Sequence, residues 1–249
     1  MRRILFFMTI VCTLGLAVGP AGAAPVTGEQ LRTPGQAAQW TADRLNRYWQ
    51  RVVEKRGIRY RAPPYYYWYN RPGYGWLRLP RPCDFDGTRD GRIRAGYWRL
   101  YAPNSFYCGA NEYLYLDWSF WKVLVRRSDS RVVVVMAHEW GHHVQHLIRW
   151  PRQSSRLHEL MADCYAGTFV RHERDLGELT DRDVAQGRRL LASFGDVPGK
   201  PVSQTGSHGT PAERRSWFSR GYEAADPAAC EEAASRRSTR LGLAGALDY

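Results

Sequence analysis

The segment His138-Glu139-Trp140-Gly141-His142 sets two imidazoles four residues apart with a carboxylate beside the first. On a helix, residues four apart rise one turn and share a face, so both rings can reach one metal ion at about 2.0–2.1 Å. Zn²⁺ accepts such a pair, and the glutamate between them then stands near enough to take a proton from a metal-held water without itself being a ligand. Six of the seven histidines fall between residues 138 and 172, which concentrates this chemistry in one stretch. Two histidines on an exposed helix face would be the plainer reading, but it asks nothing of the neighbouring sequence. The metal reading asks for a third protein ligand and an open position for water.

A third histidine six residues after the second would fit the metzincin spacing, but positions 145 and 148 are Gln145 and Ile148, so that class is excluded. His143 and His146 lie on other stripes of the same helix and read as supporting or surface groups. A second helix offers more. Glu159 and Asp163 are four apart and therefore share a face. They resemble the acid pair of the glutamate-type zincins, in which the first acid binds zinc and the second accepts a hydrogen bond from a ligand histidine's free ring N–H. Glu159 is the leading third ligand and Asp163 its supporting partner. His158 is the alternative, facing about 100° away from Glu159 on an ideal helix.

Longer segments carry a wider resemblance. Ala137-His138-Glu139-Trp140-Gly141-His142-His143-Val144-Gln145, Glu159-Leu160-Met161-Ala162-Asp163-Cys164-Tyr165-Ala166-Gly167 and Ser207-His208-Gly209-Thr210 resemble the bacterial putative neutral zinc metallopeptidase family. Phe106-Tyr107-Cys108 and Tyr115-Leu116-Asp117 match upstream, and Met161 departs where that family often has Gln. The resemblance implies a zincin-like fold, one zinc ion and hydrolysis of peptide bonds in a peptide or protein substrate. Ser207 to Arg214 is also similar to a segment of CAAX-type membrane zinc peptidases. By that analogy His208 donates to the oxyanion of a tetrahedral intermediate, and Arg214 holds the acidic support or the substrate backbone.

These side chains need helices to position them. Residues 130–148 are expected to be helical despite the strand-prone Val132-Val133-Val134-Val135, because propensity is worth only tenths of a kcal/mol per residue and a buried helix can be valine-rich. Ser154 or Ser155 can cap the next helix. Apolar spacing predicts an amphipathic helix over 35–56, stopped by Gly57. Residues 60–82, rich in Pro, Tyr and Trp, read as extended or looped, with packing favoured over a carbohydrate-stacking role for Tyr65 to Tyr69. Arg94 to Tyr101 and Tyr113 to Asp117 suit short strands. Thr180 with Asp183 and Thr210 with Glu213 have capping-box spacing, Pro211 suits a first helical residue and Gly195 a stop. The stretch from Glu231 onward, rich in Ala, Arg and Ser, is expected to be loosely ordered. The expectation is a helix-dominated α+β metallopeptidase domain over 83–230 with a small sheet upstream of the active-site helix. A packing segment at 25–82 precedes it, and a tail at 231–249 follows.

Residues 1–24 read as a secretory signal peptide, with Arg2-Arg3, an apolar run from Ile4 to Val18, and Ala21-Gly22-Ala23 before the cut. Export to the cell envelope or beyond is therefore expected, with no membrane span after cleavage. Removing Cys12 leaves Cys83, Cys108, Cys164 and Cys230, which an oxidising compartment would pair into two disulfides with three possible connectivities. The pairs 83–108 and 164–230 close the shorter loops. The formal charge is +12, carried almost wholly by scattered arginines. Export argues against nucleic acid as the partner, and an anionic cell-envelope polymer is the more plausible electrostatic one. The expected function is a secreted zinc-dependent endopeptidase. A non-catalytic zinc-stabilised interaction module and a hydrolase of peptidoglycan peptides are the rivals.

Overall fold

The computed structural model describes residues 33–63, 66–69, 105–127, 129–151, 155–196 and 207–240. The proposed leader, Cys83, the strand expected at Arg94 to Tyr101 and the side chains of the aromatic run at 65–69 lie outside the described residues. The described chain runs α1 (Pro34–Glu54), β1 (Tyr66–Tyr69), β2 (Ser105–Cys108), β3 (Tyr113–Asp117), α2 (Trp118–Arg127), α3 (Asp129–Leu147), α4 (Ser155–Asp175), α5 (Asp181–Ser193), α6 (Pro211–Ala224) and α7 (Ala228–Arg240).

Helix α3 is the centre of the packing, with α1, α2, α4, α5 and β2 all against it. Val132, Val133, Val134, Met136 and Ala137 are fully buried, and Trp140 and Val144 nearly so. A helix that is apolar on most sides is stable only when surrounded. Burial of that many methyl groups outweighs the small helical penalty of a valine run, which is why the strand-prone segment is helical here.

The sheet has the order β1-β3-β2, with β1 parallel and β2 antiparallel to β3. Phe106 stands opposite Tyr115 and their rings stack at 4.9 Å. The sheet lies upstream of α3 in sequence, and its edge strand β2 packs on that helix. Between β3 and α3 runs α2, a helix absent from the sequence expectations. Buried Asp117 starts it by accepting the Phe120 backbone N–H at 2.9 Å.

Both capping boxes read from the sequence form. Thr180 and Asp183 exchange bonds at 2.9 and 3.3 Å at the start of α5, and Thr210 and Glu213 do so at 2.9 and 3.2 Å at the start of α6. Pro211 is the first residue of α6. One expectation is corrected over Glu231 to Arg240, which is not loose but completes α7; residues 241–249 lie outside the described residues. The inner face of α7 carries Cys230 and Ala234, both fully buried, and Cys230 forms a disulfide with Cys164 of α4 across 66 residues. In the chain-entropy picture a crosslink over that length contributes about 4 kcal/mol. Cys108 is also disulfide-bonded; Cys83, the partner expected for it, lies outside the described residues. Among the described residues no helix is long and apolar enough to cross a membrane.

The tightest helix contact is α4 against α6. A methyl group on Gly221 would overlap the Cys164 carbonyl oxygen, and one on Gly167 would overlap that of Phe218. These glycines let the two backbones touch, and α6 thereby carries Arg214 into the interior. Gly221→Ala should lower the denaturant unfolding free energy by about 1–3 kcal/mol, the usual cost of overpacking a filled core. An unchanged midpoint would contradict the described contact.

Candidate metal centre

Helix α3 supplies His138, Glu139 and His142; α4 supplies Glu159 and Asp163. The helices cross where Gly141 faces Ala162, so closely that a Cβ on Gly141 would lie 3.1 Å from the Ala162 Cα. Because Gly141 sits between Glu139 and His142, and Ala162 between Glu159 and Asp163, this crossing sets the two groups of side chains face to face. His138 Nε2 lies 3.1 Å from Glu159 Oε2, and His142 Nε2 lies 3.4 Å from Glu159 Oε1. One ligand atom from each of the three residues falls within 4.8 Å of the others.

That spacing fits a metal. Ligands at about 2.1 Å from a tetrahedral ion stand about 3.4 Å from one another. The charges fit as well. Glu159 and Asp163 are held ionised in the interior beside one buried guanidinium, Arg214, and both ligand imidazoles are pushed toward the cationic form, so the site favours added positive charge. His142 and Glu159 keep 16% and 19% of their side-chain surface exposed, so the cluster opens toward solvent on one flank.

Each imidazole has its other nitrogen engaged. His138 Nδ1 meets Asp163 Oδ1 at 2.8 Å. Arg214 clamps the same carboxylate from α6 with two bonds of 2.7 Å, from Nε to Oδ2 and from Nη2 to Oδ1. Burial alone would raise the Asp163 pKa, but Arg214 and His138 outweigh it and hold the group ionised. Burial would likewise lower the pKa of His138, yet facing Asp163 and Glu159 it is pushed up to about 10. Both effects express a strong local demand for positive charge. His142 Nδ1 meets Gln145 Oε1 at 2.9 Å.

Glu139 is buried beside the two histidines, and burial pushes its pKa up. Its Oε2 accepts the backbone N–H of Tyr107, on β2, at 2.9 Å. The edge strand thus holds the carboxylate against the helix.

The remaining candidates sort plainly. His158 is not part of the three-residue group: its ring lies parallel to that of His142, with centroids 6.2 Å apart. His143 points away and is buried between the Arg61 carbonyl, at 2.8 Å, and the Tyr107 hydroxyl, at 3.2 Å. His146 is on the surface near Glu112. His208 also stands apart. Its ring is about half exposed, 3.8 Å from Asp196, and makes no hydrogen bond to His138, Glu139, His142 or Glu159 among the described residues. Asp196 explains this position, since its Oδ2 accepts from Ser207 Oγ, His208 N and Gly209 N at 2.7–2.9 Å and locks the loop by its backbone. The sequence reading gave no role to Gln145, which contacts His142. Its signal was available: three residues after His142 on one helix, it lies within reach of that ring.

Comparison with known proteins adds the family. The family model described as "Putative neutral zinc metallopeptidase" matches residues 101–153 and 149–233. The chain belongs to this family. The matched span contains every residue of the His138–His142–Glu159 group as well as Glu139, Asp163 and Arg214. Two similar relatives are Rv2575 of Mycobacterium tuberculosis, 32% identical over 157 residues, and YpfJ of Escherichia coli K12, 33% identical over 151 residues. The first alignment covers 51% of this chain and 54% of the relative, the second 50% and 52%. The chain therefore spans about half the length of these relatives, and both are described only as uncharacterized proteins. No solved structure matches it significantly.

Arg214 is 2% exposed and Asp163 fully buried, so breaking their pair leaves a charge stranded in the interior. Arg214→Met should cost about 3–5 kcal/mol in a denaturant titration. A loss below about 1 kcal/mol, the level of a surface ion pair, would contradict the buried clamp.

Proposed function

We propose that the chain is a zinc-dependent endopeptidase with a zincin-like arrangement, exported from the cell, in which Glu139 is the general base. The observation that carries the reading is a buried carboxylate directly beside a His₂Glu group, within a chain of the zinc metallopeptidase family. His138 and His142, through Nε2, and Glu159, through its carboxylate, would hold the ion. Bound zinc would supply a Lewis acid that lowers the pKa of a water toward about 7 and polarises the scissile carbonyl.

The rest falls to the protein's own groups. Tyr107 N–H occupies Glu139 Oε2 and fixes the carboxylate plane. Oε1 is left to take the proton from the attacking water and pass it to the leaving amine. Burial makes Glu139 a stronger base than an exposed carboxylate, which suits it to work near neutral pH. Asp163 and Arg214 keep the His138 ring in one orientation. By the resemblance, His208 would serve the oxyanion; its ring is about half exposed beside Asp196 and so is open to a bound substrate. A non-catalytic zinc module has no use for a buried base at this position, which favours the enzyme. The Cys164–Cys230 disulfide supports an oxidising destination, in keeping with the leader read at residues 1–24.

Digestion of a mixed peptide library by the wild type and by Glu139→Gln tests this. The variant should retain one zinc per chain while its hydrolysis falls about 10²- to 10⁴-fold. Undiminished cleavage in that variant would remove Glu139 from the chemistry.

A further inference from the structure

We propose that Gln145 is a positioning residue that selects the metal-binding tautomer of His142 and joins the second ligand to the helix bearing the third. The inference deepens the zinc reading above and rests on it.

The argument begins with an acceptor that cannot change role. Gln145 Nε2 donates to the backbone carbonyl of His158, in the first turn of α4, at 2.8 Å. A carbonyl oxygen only accepts, so the amide NH₂ of Gln145 must face it. The amide oxygen is then fixed toward His142, with Oε1 standing 2.9 Å from Nδ1. An amide oxygen also only accepts, so Nδ1 must carry the proton. A neutral imidazole has one N–H, and its lone pair is thereby placed on Nε2, the nitrogen that faces Glu159. Gln145 is 1% exposed, so water cannot replace either partner and the amide has no second orientation available.

Two further points define the role. Glutamine is the side chain that meets both demands at once: glutamate could accept from Nδ1–H but would turn an acceptor toward the His158 carbonyl. The two ligand rings are also supported differently. His138 is backed by an ionised carboxylate held by Arg214, and His142 by a neutral amide. Because His158 immediately precedes Glu159, the same amide holds the segment presenting the third ligand at a fixed distance from the second.

The test uses the full chain, zinc as the probe, and two variants. Zinc affinity is measured by competition with a chromophoric chelator. The exchange protection of the His142 Nδ1–H is read from the ring nitrogen resonances of the zinc-loaded protein. Gln145→Ala should bind zinc about 10- to 100-fold more weakly and expose that proton to rapid exchange. Gln145→Glu, which can still accept from Nδ1–H, should keep the proton protected and its zinc affinity within about threefold of wild type, while its thermal midpoint falls. Wild-type affinity and protection in a folded Gln145→Ala variant would overturn the proposal. If that variant does not fold, Gln145→Glu decides: a protected proton supports the role, and rapid exchange overturns it. Failure of the wild type to bind zinc would instead refute the metal centre itself, so the two failures are distinguishable.

Discussion

A carboxylate on one helix can meet two imidazoles on another only if the helices approach closely at that point, and every feature of the centre depends on that approach. Gly141 and Ala162 provide it. With a larger residue at either position the backbones would separate, and Glu159 would no longer lie 3.1 and 3.4 Å from the two rings. The same economy recurs behind the site. Gly167 and Gly221 bring α6 against α4, and through α6 comes the arginine that stabilises Asp163. The centre is thus built from three helices held at short range by small residues, with a disulfide fastening α4 to α7 as well.

Electrostatics then decides what such a crossing can hold. Burying Glu139, Glu159 and Asp163 together is costly unless positive charge is placed among them. Arg214 meets part of that demand with two short bonds, and a divalent ion held by the imidazoles and Glu159 would meet the rest. The arrangement separates the acids by role. Burial raises all three, but a guanidinium keeps Asp163 ionised and two rings keep Glu159 so, leaving Glu139 as the one whose pKa stays pushed up. Of three carboxyl groups on two crossing helices, two are thereby held ionised and one is left a stronger base, a division that a site needs if it is to bind a cation and move a proton.

The ligands were legible in the sequence because their spacing is a property of one helix at a time. His138 with His142, and Glu159 with Asp163, need only 3.6-residue geometry to be paired. The caps at Thr180 and Thr210 are local in the same way. What escaped was tertiary. Helix α2 did carry amphipathic spacing in Trp118, Trp121, Leu124 and Val125, but it is short and its start depends on Asp117 at the end of a strand. The stretch after Glu231 is polar and ordinary until Ala234 is seen buried and Cys230 bonded to α4. Gln145 first showed itself as the absence of a glycine and as the end of the first resemblance motif, with no role attached. Its meaning required the carbonyl of His158, thirteen residues away on another helix. For His208 the motif led toward the cleft, whereas the triple grip of Asp196 on that loop leaves the ring half exposed.

The most direct test of the central claim is X-ray absorption at the zinc edge on the full chain loaded with one equivalent of Zn²⁺. The account predicts a four-coordinate ion with two imidazole nitrogens and oxygen donors at about 2.0–2.2 Å, one of them an exchangeable water. A shell containing sulfur at about 2.3 Å, or four protein ligands with no water, would contradict it.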